Sequence, residues 1–263
     1  MAALELVSGY TIAPGATETV MTACTGNTFT IRASDTAALI KLLTFWGANE
    51  AAGIVKVRSP RMHDNVQGLR LQGLIIPSFG RLPEYGLQRL YAQDGLVVTG
   101  SGVATANHVV AANMLIYYDH LPGADGRFIG LSELMNRSIN VMTAYVTVTG
   151  ATTGDYSAAV AINSTVDLLK ANTDYAILGY CTSVDCIAVR IQGPDIGNLG
   201  LGGPGLISMG WDTSKWFITL TEKTGLSLIP VINSANKSGT LISTQMTNAG
   251  GSPIVQFFLS ELT

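Results

Sequence analysis

Runs of hydrophobic and β-branched residues, separated by short polar turns, cover most of this chain, and this pattern is typical of β-strands. Valine, isoleucine, threonine, tyrosine and phenylalanine fill these runs, and glycine, asparagine, aspartate and proline separate them. The pattern predicts strands at residues 19–25, 28–33, 39–46, 53–58, 96–99, 114–118, 140–149, 157–163, 175–182, 187–192, 227–233, 240–247 and 254–259. The strands come in groups of three or four, which favours antiparallel sandwiches over a parallel nucleotide-binding sheet.

Two segments have the spacing of a helix instead. The first is predicted to run from Pro83 to Gly95, with an apolar face formed by Leu87, Leu90 and Tyr91. The second is predicted to begin at a cap, Asp212 or Thr213, and to end at Gly225. Its apolar face is formed by Trp216, Phe217 and Leu220. Each half of the chain is therefore expected to hold one short helix.

An internal repeat organises these elements. The run IVKVRSP at residues 54–60 aligns position for position with AVRIQGP at residues 188–194. Weaker pairs occur in the same order around it: residues 42–46 with 176–180, 68–69 with 200–201, 95–96 with 225–226, and 114–121 with 254–261. The shared order indicates a tandem duplication. We expect two domains, residues 1–133 and residues 134–263.

About seven or eight strands and one helix per half is the element count of a jelly roll. The sequence thus predicts an all-β fold of two tandem antiparallel jelly-roll sandwiches, each with one short helix. In its repeat, length, low polarity and helix placement, the chain resembles the double jelly-roll major capsid proteins of icosahedral viruses. This resemblance covers the whole chain but is architectural, so it transfers no functional residue. It implies homotrimers of pseudo-sixfold outline that form a shell with other virion proteins, in a virion assembled in the host cytoplasm.

The charge content bears on assembly. Only 13% of the 263 residues are charged, 47% are hydrophobic, and the net charge is −3. A soluble domain usually covers about 25–35% of its surface with charged side chains, and this chain has too few to do so. Its exterior must be largely neutral, which favours a subunit covered by copies of itself over a hydroxyl-rich monomer.

The start of the chain carries no targeting signal that we recognise. The first 31 residues contain no lysine or arginine, so neither a secretory signal peptide nor a basic arm that condenses RNA is expected. The apolar stretches also fall short of the roughly 20 residues of a transmembrane helix. A coat of this kind would enclose a genome packaged by other means, or a membrane between shell and genome.

One stretch of the first half is distinctly basic. Within residues 56–89 only Asp64 and Glu84 oppose six basic side chains, which are Lys56, Arg58, Arg61, Arg70, Arg81 and Arg89. Three interpretations stay open: a rim that pairs with acidic residues of a neighbouring subunit, an inner face toward genome or anionic lipid, or a solvated loop region. Under the first two, replacing Arg58, Arg61 and Arg70 by glutamate impairs assembly or packaging.

Candidate catalytic chemistry is weak throughout the sequence. The run GLGGPG at residues 200–205 matches G-x-G-x-x-G, but the expected strand and helix do not flank it directly, so we predict a flexible loop. The pairs His63-Asp64 and Asp119-His120 are sequence neighbours, which point to opposite faces of a strand, and His108 stands alone. There is no nucleophile elbow and no Cys-x2-Cys pair. We predict no enzyme, cofactor, metal site or small-molecule substrate.

Two further features leave alternatives open. Cys181 and Cys186 flank a predicted hairpin turn and are placed to face each other across it, although ordinary buried thiols are the simpler interpretation. The alternative function is a carbohydrate-binding or adhesive β-sandwich module. It requires an exposed indole at Trp46, Trp211 or Trp216 to stack on sugar rings, whereas core packing would bury these side chains.

Overall fold

The computed structural model describes residues 2–33, 35–49, 53–62, 65–72, 88–102, 108–149, 153–183, 186–205 and 213–263. Strands dominate these ranges. The strands of the first half are β1 Ala3–Ile12, β2 Thr19–Val20, β3 Thr22–Ala23, β4 Ile40–Asn49, β5 Ile54–Arg58, β6 Leu69–Gln72, β7 Gln88–Leu90, β8 Val97–Ser101 and β9 Val109–Tyr118. Those that follow are β10 Phe128–Ile129, β11 Ser138–Thr147, β12 Val160–Ala161, β13 Asp174–Thr182, β14 Cys186–Gln192, β15 Leu201–Pro204, β16 Ile229–Asn233, β17 Leu241–Met246 and β18 Ile254–Leu262.

The first half forms two antiparallel sheets. One has the strand order β3-β1-β9-β4-β7 and the other has the order β2-β8-β5-β6. If the short strand β3 is set aside and the other eight are numbered along the chain, the orders become 1-8-3-6 and 2-7-4-5. This is the strand order of a jelly roll, in which two Greek keys close two four-stranded sheets over one core.

The second half repeats this order. Its sheets are β10-β16-β13-β18-β11 and β12-β17-β14-β15, and strands β11 to β18, numbered in the same way, again give 1-8-3-6 and 2-7-4-5. The aligned sequence pairs occupy equivalent strands: residues 54–58 and 188–192 lie on β5 and β14, and residues 114–118 and 254–258 lie on β9 and β18. The chain is therefore an all-β double jelly roll, as its sequence predicted.

Two α-helices occur in the described ranges, α1 at Leu131–Arg137 and α2 at Trp216–Thr224. Helix α2 matches its prediction: Trp216, Phe217 and Leu220 are buried, and Gly225 caps its C-terminus with a φ of 69°. A glycine suits that position because side chains disfavour left-handed backbone. Thr213 begins a 3-10 turn before the helix and is not its cap, and Asp212 lies outside the described residues.

The predicted helix of the first half is wrong where it can be checked. Residues 88–90 form β7, which pairs with β4 through Ile40 and Leu90, and residues 81–87 lie outside the described ranges. Long-range strand pairing outweighs the local spacing of Leu90 and Tyr91, because Leu90 is buried in the first core. The helix α1 follows β10, which pairs with β16 of the second half, and it contains the predicted domain boundary after Glu133.

Several other predicted boundaries differ from the structure. The sequence pattern does not predict strands β1, β6, β7, β10 and β15. The predicted strand at residues 28–33 is not regular: Ile31 and Phe29 contact residues 94 and 96 through separate backbone hydrogen bonds of 2.9 and 2.7 Å. The prediction of a flexible loop for the G-x-G-x-x-G run is also wrong, because Leu201–Pro204 forms strand β15, which pairs with β14.

An ion pair ties β13 to the segment that joins the halves. The Arg127 guanidinium binds the Asp174 carboxylate with both terminal nitrogens, and Asn233 Nδ2 donates to the same carboxylate at 2.8 Å. The hydrogen bonds from Arg127 lower the pKa of Asp174 below its usual value of 3.8. This carboxylate therefore contributes stability above the pKa of the unfolded chain and loses it as the pH falls through the lower folded pKa.

Arg127→Gln should reduce the free energy of unfolding by about 1 kcal/mol at neutral pH, since the pair is partly exposed. The difference from wild type should shrink as the pH falls below about 4, because Asp174 is protonated first in the variant and only at a lower pH in the wild type. Urea unfolding between neutral and acidic pH measures it, with Lys223→Gln on the exposed side of α2 as the control. A difference that stays constant down to the lowest pH would contradict this account.

Candidate assembly surfaces

The two jelly rolls pack against each other through unlike sheets. The outer face of the β1–β9 sheet contacts the outer face of the β14–β17 sheet, and Leu4, Leu6 and Leu115 share a buried cluster with second-half side chains. Val109 and Ala111 pack with Ile187 in the same way. We call this contact the intrachain seam, and the contributing faces are those of β1–β9 and β14–β17.

The backbones approach closely at the seam. Leu6 donates its N–H to the Gly200 carbonyl at 2.7 Å, although these residues belong to different halves. A Cβ atom at Gly202 would lie 1.9 Å from the Val189 carbonyl oxygen and 3.0 Å from Leu6 Cδ2. The glycines of residues 200–205 thus serve close packing of β15, not phosphate binding.

A buried arginine forms the polar centre of the seam. Arg190 on β14 donates to the Thr25 carbonyl at 2.7 Å and to Ser243 Oγ at 3.1 Å, and its guanidinium lies 4.0 Å from the Tyr156 ring centroid. Thr25 in turn donates its N–H and hydroxyl to Asp155, at 2.8 and 2.7 Å. The charge is therefore buried among acceptors and an aromatic face, as a desolvated cation requires.

Neutral hydrogen bonds surround this centre. Ser8 Oγ donates to Asn113 Oδ1 at 2.5 Å and lies 2.7 Å from the Tyr156 hydroxyl. Burial raises the pKa of the Tyr156 hydroxyl and of the Cys24 thiol, so both groups stay protonated at neutral pH.

Each jelly roll has a second sheet, whose outer face does not contribute to the seam. On the second half the outer face of β11–β18 exposes Val141 by 63%, Tyr145 by 41% and Ile254 by 42%. Thr143 and Gln256 on the same face are exposed as well. Strand pairing places Tyr145 opposite Gln256 and Thr143 opposite Phe258, so these side chains form one neutral, partly apolar surface.

On the first half the corresponding outer face belongs to β5–β8. It exposes Val20 by 66% and Val97 by 37%, and it carries Lys56, Arg58 and Arg70. Lys56 is buried against the Glu18 carboxylate, and Arg58 Nη1 lies 3.7 Å from the same group. Those contacts lower the pKa of Glu18, with the hydrogen bond from Lys56 as the largest cause.

The predicted basic cluster separates into two places. Lys56 lies opposite Arg70 across the β5–β6 pair, and Arg58 lies on the same face of β5. Arg61 and Arg89 instead lie 5.9 and 5.6 Å from the Tyr91 ring centroid. Arg81 lies outside the described residues.

The remaining sequence candidates have structural roles or cannot be assigned. Trp46 and Trp216 are buried, with their rings edge-to-face at 6.4 Å, which confirms core packing for both, while Trp211 lies outside the described residues. Cys181 and Cys186 form no disulfide. His63 and Asp64 are outside the described ranges, whereas Asp119 accepts the Leu39 N–H at 2.8 Å.

Sequence reasoning missed the side chains that form the seam. Arg190, Ser8 and Tyr156 drew no attention because each lies in an otherwise ordinary strand or turn. One signal was available: Arg190 aligns with Lys56 in the repeat, and a basic residue in an apolar run needs a buried partner.

In the described residues, no group of three or more histidine, cysteine, aspartate or glutamate side chains is placed to hold an ion. Among the helices described, none has the length and apolar character needed to cross a bilayer.

No family model and no curated protein matches this chain. Two solved structures align over nearly all of it, the crystal structure of the STIV MCP and that of the major capsid protein P2 from bacteriophage PM2, each at 9% identity. The alignments cover 99% of this chain and 96% of the STIV protein, and 100% of this chain and 98% of P2. Both TM-scores are 0.23, so the fold assignment rests on the strand order described above.

Proposed function

We propose that this chain is the major capsid subunit of a virion, a structural protein that assembles with copies of itself into an icosahedral shell. The observation that carries this proposal is the pair of sheet faces with exposed apolar side chains that flank a duplicated jelly roll. Val141, Tyr145 and Ile254 on one side and Val20 and Val97 on the other are exposed hydrophobic residues on ordered strands. Such surfaces on a chain with 13% charged residues fit a subunit that neighbours cover.

The proposed unit is a homotrimer, and its two domains are residues 1–133 and 134–263. The described sheets separate a few residues before that boundary, since residues 3–118 contribute to the sheets of the first half and β10, at residues 128–129, already pairs with β16. Three copies would place six jelly rolls in one ring. The role is structural and not catalytic, with no cofactor or small-molecule substrate, and other virion proteins are further partners.

The basic residues divide between two proposed roles. Lys56, Arg58 and Arg70 would lie at a subunit contact, because their face also carries exposed apolar side chains. Arg61 and Arg89, which flank Tyr91, would contact solvent, genome or anionic lipid. Burial of Trp46 and Trp216 removes two of the three indoles on which a carbohydrate-binding module would depend.

Size-exclusion chromatography with light scattering, followed by negative-stain electron microscopy, tests the proposal. We expect a species of about three times 27.6 kDa and, at higher concentration, particles or sheets of pseudo-hexagonal units. A chain that stays strictly monomeric over all concentrations and salt conditions would contradict a capsid role.

A further inference from the structure

The repeat relates the exposed faces to the seam. Since β11 and β18 occupy the places of β1 and β9 in the strand order, their outer face is equivalent to the one that the first half buries in the seam. Likewise β5 and β8 occupy the places of β14 and β17. Each chain thus buries the outer faces of β1–β9 and β14–β17 in its own seam. The equivalent outer faces, those of β11–β18 and β5–β8, stay exposed.

Each of the two related faces also carries a tyrosine near the end of its first strand. Tyr10 and Tyr145 are both the eighth residue of the first strand of their half. Tyr10 packs on the second half so closely that a Cβ atom at Gly154 would lie 2.4 Å from its ring. Tyr145 lies on the outer face of the corresponding sheet, opposite Gln256, and is 41% exposed.

The receiving faces correspond as well. Lys56 and Arg190 are each the third residue of the aligned seven-residue runs, and each lies opposite a hydroxyl residue, Thr99 on β8 and Ser243 on β17. In the seam, Arg190 binds the partner sheet's loop at Thr25. Lys56 is compensated by Glu18 within its own chain, so covering this face would bury no unpaired charge at its centre.

We infer that the β11–β18 face of one copy binds the β5–β8 face of another copy, in the manner of the intrachain seam. This inference rests on the proposed function, because it names the surfaces through which the subunits assemble. The contact is heterologous, with different surfaces on the two partners, so repetition closes a ring when the rotation between copies divides a full turn. Tyr145 packs on the loop of residues 13–18 of its neighbour, as Tyr10 packs on Gly154.

Two pairs of variants test the faces separately. Tyr145→Asp places a charge at the centre of the apolar face, and Leu39→Asp, at a residue of similar exposure (38%) just before β4, is its control. Arg58→Glu with Arg70→Glu alters the receiving face, and Arg61→Glu with Arg89→Glu is a control of equal charge change. The first member of each pair should weaken self-association at least tenfold in concentration-dependent light scattering, and the controls should leave it within about threefold of wild type.

Far-UV circular dichroism and thermal unfolding of the monomer fraction show whether each variant retains its fold. If folded Tyr145→Asp assembles at wild-type concentrations, the proposed face is wrong. Equal loss of assembly in a variant and its control would also contradict the inference. The effect would then depend on the added negative charge and not on the face that carries it.

Disulfide trapping tests the pairing itself. In a Cys181→Ser background, chains with Tyr145→Cys are mixed with chains that carry Ala16→Cys, in the exposed loop before β2. Mild oxidation should give a covalent heterodimer of the two chains, and Tyr145→Cys mixed with Arg61→Cys should give none. Trimers or shells without the heterodimer would overturn the face pairing and leave the proposed function standing, whereas a strictly monomeric chain would contradict both.

Discussion

Replacing Trp46 by alanine should lower the free energy of unfolding by about 3–5 kcal/mol, the range for deletion of a large buried aromatic side chain. The indole is 2% exposed, packs edge-to-face on Trp216, and donates its N–H to the Ile187 carbonyl at 3.2 Å. Its removal opens a cavity at the seam and takes away one of the two donors to that carbonyl, which keeps the Gly205 N–H at 3.1 Å. Urea unfolding followed by circular dichroism measures the loss.

The control for this variant is Tyr91→Ala, an aromatic deletion at a side chain that is 37% exposed. It should cost less than about 1 kcal/mol. Because Trp46 contacts both halves, we further expect Trp46→Ala to separate the unfolding of the two jelly rolls into distinct transitions. A loss below about 1 kcal/mol for Trp46→Ala would show that the seam contributes little to stability.

Removing Arg32 should have a comparable effect within the first half. Glu5 on β1 is 1% exposed, and its carboxylate accepts from Arg32 Nε at 2.5 Å and from the Tyr118 hydroxyl at 2.7 Å. Arg32→Ala leaves this carboxylate buried without its cation, which costs about 3–5 kcal/mol in proteins. Chemical denaturation at neutral pH is the measurement.

The double variant Glu5→Gln/Arg32→Ala separates charge from packing. An amide keeps the shape and can still accept from Tyr118, so most of the loss should be recovered in the double variant. If it is as unstable as Arg32→Ala alone, the cost comes from lost packing of the arginine stem and not from an unpaired charge.

The duplication could be predicted because short runs of residues in the two halves resemble each other directly. Residues 54–60 and 188–194 align directly, and both fall on the fourth strand of their jelly roll. The first strand escaped prediction for a physical reason. β1 is buried on both faces and carries Glu5 and Ser8, whose polar groups are satisfied by partners such as Arg32 and Tyr156 that lie far away in sequence.

The prediction of a helix in the first half is wrong because residue spacing alone does not distinguish a short helix from a strand that pairs with a segment far away in sequence. Leu90 is held by β4, some fifty residues upstream, and no local feature encodes that pairing. The basic cluster was found by composition, but composition cannot assign a face. Lys56 and Arg70 meet because β5 and β6 pair, whereas Arg61 reaches Tyr91 beyond the end of β5.

Joining both jelly rolls in one polypeptide has a kinetic consequence. The intrachain seam forms at the effective concentration set by the short connection between β9 and β10, so it is complete before dilute copies meet. Its centre, Arg190 against Thr25 and Tyr156, also differs chemically from the Lys56–Glu18 pair on the free face. The intrachain seam therefore forms before the contact between copies, and neither contact easily replaces the other. This order disfavours domain swapping, in which one subunit would pair its half with that of a neighbour in a growing lattice.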